Sequence, residues 1–191
     1  MKILIGTNNE NKLNQFRRIF RNLGFDTELV SLKDVGITDD VEENEDSLLE
    51  NAKKKAKFYA EKSNLLTLAD DTGLFVDVLN GEPGLHAKRW HDGTELDRCH
   101  KLLERLKDIP EEKRTCRYAG VLAVYNPKTK EFWNYENNIE AVISDDFKGD
   151  LGFGYDPIFK LENGKHYAEL TDEERDVISH RGLGIKSYLN I

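Results

Sequence analysis

The chain has 191 residues, a formal net charge of −8 at pH 7, 38% hydrophobic residues and 34% charged residues. This composition is typical of a globular protein, and the negative charge argues against duplex or membrane-surface binding, both of which need clustered Lys and Arg. The two cysteines, Cys99 and Cys116, are too few for a disulfide scaffold or a thiolate metal site, so we expect a reducing, cytoplasmic compartment.

The first part of the chain predicts alternating strands and helices. Residues 2–6 predict a buried strand, and their short apolar run predicts neither a signal peptide nor a membrane span. Apolar residues at helical spacing follow, and Gly24 suits the left-handed position that ends such a helix. We expect a second strand over residues 26–31, an acidic loop over residues 39–46 and a helix over residues 47–62.

The rest of the chain is expected to be richer in strands. Residues 65–74, LLTLADDTGL, predict a buried strand that ends in carboxylates, and residues 96–106 predict an amphipathic helix. Residues 115–125 and 131–144 flank the turn NPKTK and predict a long antiparallel hairpin, which makes the sheet mixed. A final helix is expected to begin near Thr171, where TDEE matches a capping box.

The adjacent aspartates Asp70 and Asp71 are the most informative residues of the chain. They are expected at the carboxyl end of a strand, where open α/β sheets bind their ligands. Carboxylates in that place hold a hard cation or activate water. The alternative is that both residues only begin a turn, because Asp and Gly are frequent turn residues.

Residues 7–12, TNNENK, lie between the first predicted strand and the first predicted helix. Free backbone amides and the positive helix end form an anion site in such a place, and Lys12, Thr7 and Asn9 would add side-chain donors for a phosphate chain. The segment lacks the spacing of a P-loop. Asn-rich turns also occur without any ligand, so a plain turn remains the alternative interpretation of this segment.

The acidic loop DDVEENEDS offers a second carboxylate for a metal ion. It lacks the glycine that an EF-hand needs at its sixth position. Mg²⁺ takes one or two carboxylates and keeps several waters, so Glu42 or Glu43 could join Asp71 on a magnesium ion carried by phosphates. The alternative is a solvated charged loop.

Two later segments suit recognition of a base. Residues 149–159, GDLGFGYDPIF, place glycines around Phe153, which would free its ring to stack on a base. His180 and Arg181 are neighbours and suit hydrogen-bond donation to the O6 atom of a 6-oxopurine. Gly-aromatic turns also occur as plain connectors, and a His-Arg pair on a helix surface is commonly solvated. No serine triad, Cys-His pair or zinc spacing is apparent in the sequence.

Together the segments TNNENK, SLLENAKKKA, LADDTGL, GEPGLHAKRW, GFGYDPIF and ISHRG closely resemble the inosine triphosphate pyrophosphatase family. The resemblance runs from Lys2 to about Tyr188. It implies an α/β fold in which residues 1–191 form a single domain, with a long mixed sheet and helices that build two lobes around a central cleft. It also implies Mg²⁺ as the cofactor with Mn²⁺ as an alternative, a homodimer, and no nucleic-acid or membrane partner.

The implied reaction is Mg²⁺-dependent hydrolysis of the deaminated purine nucleotides ITP, dITP and XTP to the nucleoside monophosphate and pyrophosphate, which clears them from the nucleotide pool. Two alternatives stay open, a non-catalytic purine nucleotide sensor and a pyrophosphatase of other modified nucleotides. Asp71 disfavours a sensor, because a sensor needs no residue that activates water. The donors of His180 and Arg181 favour purines.

The resemblance implies roles for individual residues. Asp71 corresponds to the catalytic acidic residue and, with Glu42, to the metal ligands, while Glu43 is the adjacent competitor. Asn8, Thr72 and Arg175 stand where the family commonly has glycine, serine and lysine. The substrate-binding positions are Thr7, Asn8, Asn9, Glu10, Asn11, Lys12, Lys55, Thr72, Arg89, Phe153, Gly154, Tyr155, Asp156, Arg175, His180 and Arg181.

Physical chemistry agrees with these implied roles. A triphosphate repels nucleophiles, so Mg²⁺, Lys12 and Lys55 would neutralise its charge before water attacks. His180 and Arg181 would donate to O6, whereas the 6-amino group of adenine would leave these donors unpaired at a cost of about 1–3 kcal/mol each. The sequence therefore predicts a purine triphosphate hydrolase that discriminates against adenine.

Overall fold

The structure is a computed structural model that describes residues 2–190. The strands of this part of the chain are β1 (Lys2–Ile5), β2 (Glu28–Val30), β3 (Leu66–Val76), β4 (Pro83–Gly84), β5 (Thr115–Asn126), β6 (Glu131–Ile143) and β7 (Phe159–Lys160). Its α-helices are α1 (Glu10–Asn22), α2 (Leu48–Ser63), α3 (Glu95–Leu106), α4 (Asp172–Ile178) and α5 (His180–Leu189).

The strands are hydrogen-bonded in the order β2-β1-β3-β5-β6-β7, and β4 pairs with β3. β1 is parallel to β2 and to β3, with Ile3 opposite Leu29 on one side and Leu66 on the other. β4 is antiparallel to β3, and β7 is antiparallel to β6. The two parallel pairs follow from the crossovers through α1 and α2, since parallel strands cannot be joined by a tight turn. The predicted mixed α/β sheet is confirmed.

The chain divides into two compact units. The first comprises the residues up to Thr72, Gly120–Asn137 and the residues from Asp176 onward, and the second comprises Gly73–Ala119 and Asn138–Arg175. Strands β3, β5 and β6 each contribute residues to both units. The single two-lobed domain implied by the resemblance stays a prediction.

The core of the first unit covers β1 on both faces. Ile3 and Ile5 pack with apolar residues of α1, including Phe16, and with Ile185 of α5. Leu4 lies in a separate cluster with Tyr59 of α2. Side chains alternate between the faces of a strand, so a strand buried on both faces needs an uninterrupted apolar run, and ILI is such a run.

The end of α1 follows the sequence prediction. Gly24 has a φ of +73°, a left-handed conformation that glycine adopts without strain. The amide of Phe25 donates to the carbonyl of Phe20, and the amide of Gly24 donates to the carbonyl of Arg21. These two bonds satisfy carbonyl groups that the helix end would otherwise leave unpaired.

The structure places the two aspartates inside strand β3 and not at its end. The strand does not end at Asp70 and Asp71 but continues to Val76, so both residues lie inside it. Beyond them β3 gains an antiparallel partner, because Leu74 and Phe75 pair with β4. Gly73 permits the approach, since a Cβ atom there would lie 2.7 Å from the carbonyl oxygen of Gly84.

The carboxyl-terminal region also differs from its prediction. One helix was expected from Thr171, whereas the structure has α4 and then α5, separated by Ser179. The Ser179 hydroxyl accepts a hydrogen bond from the amide of Gly182 at 3.1 Å and so caps the new helix. The capping box at Thr171 is confirmed, because Thr171 and Glu174 exchange side-chain to backbone hydrogen bonds.

Between residues 2 and 190 no helix is long and apolar enough to cross a membrane.

Candidate active site

Asp70 lies at the centre of a buried cluster of charged side chains in the first unit. Its Oδ2 accepts a hydrogen bond from Arg181 Nη2 at 2.6 Å and lies 3.0 Å from Lys12 Nζ. His180 Nε2 is 3.3 Å from the same oxygen. The carboxylate side chain is fully buried. Three residues predicted for substrate binding therefore converge on Asp70, an aspartate for which the sequence predicted a cation or water rather than these three partners.

The protonation states of Asp70 and Lys12 depend on each other and on the charge of Arg181. Burial alone would raise the pKa of Asp70, but the positive charges of Arg181 and Lys12 outweigh it and hold that pKa well below the usual range. Burial lowers the pKa of Lys12, against the attraction of Asp70. The carboxylate is therefore ionised at neutral pH and supplies the counter-charge that the buried cations need.

His180 is held as a neutral imidazole. Burial, together with the charge of Arg181, lowers its pKa to about 4. Because Asp70 is ionised and can only accept, the hydrogen-bond network assigns the ring proton to Nε2. The ring packs against Gly120 of β5, where any Cβ atom would overlap it. The imidazole ring of His180 thus has a single N–H group, and that group faces Asp70.

Arg181 is fixed from two sides. Its Nη2 donates to Asp70, and its Nη1 donates to Oε1 of Gln15 on α1 at 2.9 Å. The Gln15 amide in turn donates to Asp176 at 3.0 Å, and Asp176 is paired with Arg18. Gln15 was not identified from the sequence, since polar residues inside an amphipathic helix carry no distinct signal. In the structure the side-chain donors of His180 and Arg181 face Asp70 and Gln15. Their predicted donation to a base stays a prediction.

Asp71 belongs to a second ionic group around Lys55 of α2. Lys55 Nζ lies 3.3 Å from Asp71 Oδ1 and also donates to Glu43. The side chains of Lys55 and Asp71 are 10% and 9% exposed. Burial raises the pKa of Asp71 although Lys55 opposes the shift. Burial would lower the pKa of Lys55, but Asp71 and the neighbouring carboxylates raise it. Lys55 is therefore charged and Asp71 is more basic than an exposed aspartate.

The loop before α1 presents the other predicted phosphate residues. Asn9 is the N-cap of α1, and its Oδ1 accepts from the amides of Asn11 and Lys12 at 2.9 and 3.2 Å. Thr7 Oγ1 accepts from the amide of Asn9 at 3.1 Å. The expectation of free amides is wrong for these three groups, because the loop's own side chains satisfy them. Asn8, Glu10 and Asn11 are exposed.

The predicted base-binding residues of the second unit are held by their own contacts. Asp156 is buried and accepts from the amide of Phe153 at 2.9 Å. The hydroxyl of Tyr155 donates to the carbonyl of Ala87 at 2.9 Å. A Cβ atom at Gly152 would meet both Asp156 and Arg175, so these two side chains are close together. The structure thus groups Phe153, Gly154, Tyr155, Asp156 and Arg175, while Arg89 is exposed in a loop of the same unit.

Residues 3–191 match the Ham1 family. The chain belongs to the Ham1 family. A dITP/XTP pyrophosphatase of Thermoanaerobacter sp. (strain X514) is 41% identical over 99% of this chain and 96% of the relative. The dITP/XTP pyrophosphatase of Bacillus subtilis (strain 168) is 38% identical over 96% of this chain and 92% of the relative. The family predicted from the motifs is therefore confirmed.

A solved Ham1 structure shares the fold over the whole chain. The Ham1 protein of Staphylococcus aureus has a TM-score of 0.85 and 31% sequence identity, and the match covers 100% of this chain and 98% of that protein. The α/β architecture read from the sequence is thus the architecture of the Ham1 family.

The acidic residues of this Ham1 protein fit a hard divalent cation. Among the residues that the structure describes, no three His, Cys, Asp or Glu side chains are grouped to hold a metal ion. Mg²⁺ needs fewer, because it keeps waters and takes phosphate oxygens as further ligands. Asp71 with one glutamate of the acidic loop supplies the oxygen donors that it prefers. The raised pKa of Asp71 reflects a buried negative charge that a cation would stabilise.

Proposed function

We propose that this protein hydrolyses ITP, dITP and XTP to the nucleoside monophosphate and pyrophosphate. The relatives named dITP/XTP pyrophosphatase support this proposal, because they match nearly the whole chain. The observation that carries it is the buried group of Asp71 and Lys55, in the same unit as the group of Asp70, Lys12 and Arg181. Together the two groups combine Asp71, a carboxylate of raised basicity, with cations that suit a polyanionic substrate.

The cations are placed before any substrate arrives. Lys12 and Lys55 are long, flexible side chains, yet each is held in one position by a buried carboxylate. Donors that are already in place stabilise developing negative charge without reorganisation. With Arg181 there are three cations against Asp70, Asp71 and Glu43, so these two groups are electrically balanced without a ligand. A triphosphate therefore requires further positive charge.

A bound Mg²⁺ would supply that charge as a Lewis acid, held by Asp71 and Glu42 with Glu43 as the alternative to Glu42. Asp71 is the proposed base that orients and deprotonates the attacking water. Its raised pKa makes it a better proton acceptor than an exposed aspartate, while Lys55 keeps the carboxylate in place. Lys12 and Lys55 would neutralise the phosphate oxygens, which lowers the repulsion of the attacking oxygen.

Recognition of the base is assigned to Phe153, Gly154, Tyr155, Asp156 and Arg175. Arg181 would donate to O6 through the N–H groups that it does not give to Asp70 or Gln15, whereas His180 would have to turn its ring N–H away from Asp70 to do so. The hydrogen bond from the Phe153 amide to Asp156 supports this assignment, since a segment that is held by its own contacts presents its groups in one geometry. The homodimer and the cytoplasmic location are part of the same proposal.

A panel of nucleotides tests the proposed function. The protein is incubated with Mg²⁺ and ITP, dITP, XTP, ATP, GTP and dUTP, and released pyrophosphate is measured separately from phosphate. We expect pyrophosphate from ITP, dITP and XTP, little from ATP, and none in excess chelator. Binding of ITP without turnover would support the nucleotide sensor instead. Preferential turnover of dUTP would support a pyrophosphatase of other nucleotides.

Substitutions in the acidic loop test the metal ligands. Glu42 is exposed, so its carboxylate can turn to an ion that arrives with the substrate, whereas Glu43 is bonded to Lys55. We expect Glu42→Gln to raise the Mg²⁺ concentration for half-maximal activity by about tenfold, the scale of one lost metal contact. Glu43→Gln is the matched control and should leave that concentration nearly unchanged. The opposite result would assign the ligand to Glu43.

A further inference from the structure

The segment GFGYD depends on one buried carboxylate for its shape. Asp156 Oδ2 accepts a hydrogen bond from the amide of Phe153 at 2.9 Å. Gly152 has a φ of +85°, and a side chain there would overlap Asp156 Oδ2. The carboxylate therefore lies against the turn that it closes, and any movement of Asp156 would move the backbone of Phe153.

The second oxygen of Asp156 is held by a residue outside the segment. The hydroxyl of Tyr118 on β5 donates to Asp156 Oδ1 at 2.9 Å. Its ring is stacked on Phe159 with 4.1 Å between ring centroids, and it meets Tyr167 edge to face with 6.0 Å between centroids. These two rings hold the ring of Tyr118, so its hydroxyl oxygen is fixed in one place. The hydrogen bond from this hydroxyl connects Asp156 to strand β5.

We propose that Tyr118 is a positioning residue that fixes Asp156, and through it the backbone of Phe153, for contact with the purine base. The inference rests on the proposed function in one respect, namely that this segment contacts the base. In this proposal Tyr118 acts without contacting the substrate. Its effect passes through two hydrogen bonds, from its hydroxyl to Asp156 and from the Phe153 amide to Asp156.

The same geometry makes the segment sensitive to protonation. Burial raises the pKa of Asp156 to about 6, while the donors Phe153 and Tyr118 and the charge of Arg175 oppose the rise. Glu95 of α3 also raises the pKa of Asp156, and Asp156 in turn raises the pKa of Cys99 on the same helix. A protonated Asp156 carries an O–H group, whereas both of its partners are donors. Acid should therefore weaken the two hydrogen bonds that hold Phe153.

Tyr118→Phe removes the hydroxyl and keeps the ring that packs on Phe159. We expect the KM for ITP to rise roughly tenfold, the scale of one lost hydrogen bond to a charged group, and kcat to stay within about twofold. The loss of a donor also destabilises the carboxylate, so the acid-side fall in kcat/KM should move to higher pH. Tyr125→Phe, the same change on the same strand, is the control and should alter neither KM nor the pH profile.

Hydrogen exchange gives a readout that does not depend on turnover. The amide of Phe153 is hydrogen-bonded to Asp156, so its exchange should become roughly tenfold faster in Tyr118→Phe and stay unchanged in Tyr125→Phe. Unchanged exchange together with an unchanged pH profile would overturn the inference. If the wild-type protein does not hydrolyse ITP, the proposed function fails, while the exchange result still decides whether Tyr118 fixes the segment.

Discussion

Asp71→Asn is expected to lower the turnover of ITP at least about a hundredfold, the scale of losing a general base or a metal ligand. The fold should stay intact, because Lys55 keeps its bond to Glu43 and the buried negative charge is removed. An amide has nearly the same shape as the carboxylate but neither accepts the proton of water nor neutralises a cation. Steady-state release of pyrophosphate measures the effect.

Asp26→Asn is a suitable control, because Asp26 is exposed in the same unit and the change removes the same charge. Its activity should equal that of the wild type. Thermal unfolding of both variants shows whether a loss of turnover reflects chemistry or folding. Turnover by Asp71→Asn at the wild-type rate would remove Asp71 from the catalytic role.

Asp70→Asn is expected to act on stability as well as on activity. The change leaves the buried Arg181 and the partly buried Lys12 without their carboxylate, and removing one partner of a buried ion pair costs about 3–5 kcal/mol. Urea unfolding measures this loss as a lower midpoint with an unchanged slope. We expect ITP hydrolysis to be lost too, since Lys12 would no longer be held in one position.

A double variant measures the interaction between Asp70 and Lys12. Lys12→Met combined with Asp70→Asn removes one unpaired cation, so its free energy of unfolding should fall by less than the sum of the two single losses. Additive losses would mean that Lys12 and Asp70 do not interact. A single Asp70→Asn variant with wild-type stability and activity would refute the central position of Asp70.

Features that depend on neighbours along the chain could be predicted from the order of residues. The apolar run of β1 and the apolar spacing of α1 are visible in the order of residue types, and the left-handed Gly24 and the capping box at Thr171 arise from contacts within a few residues. Periodicity and capping chemistry report such contacts directly. The motifs also indicated the family, because their residue types and their order occur together along the chain.

The ionic partners of the charged residues depend on the three-dimensional fold. Asp70 meets Arg181 across 111 positions of sequence, and Gln15 meets Arg181 across 166. No periodicity or motif spacing links the members of either pair, so the sequence predicted neither the partners of Asp70 nor any part for Gln15. The length of β3 likewise depends on its pairing with β4. Local patterns determine helices and strands, whereas the partner of a buried charge is set by which elements the fold brings together, since a buried charge is stable only where an opposite charge meets it.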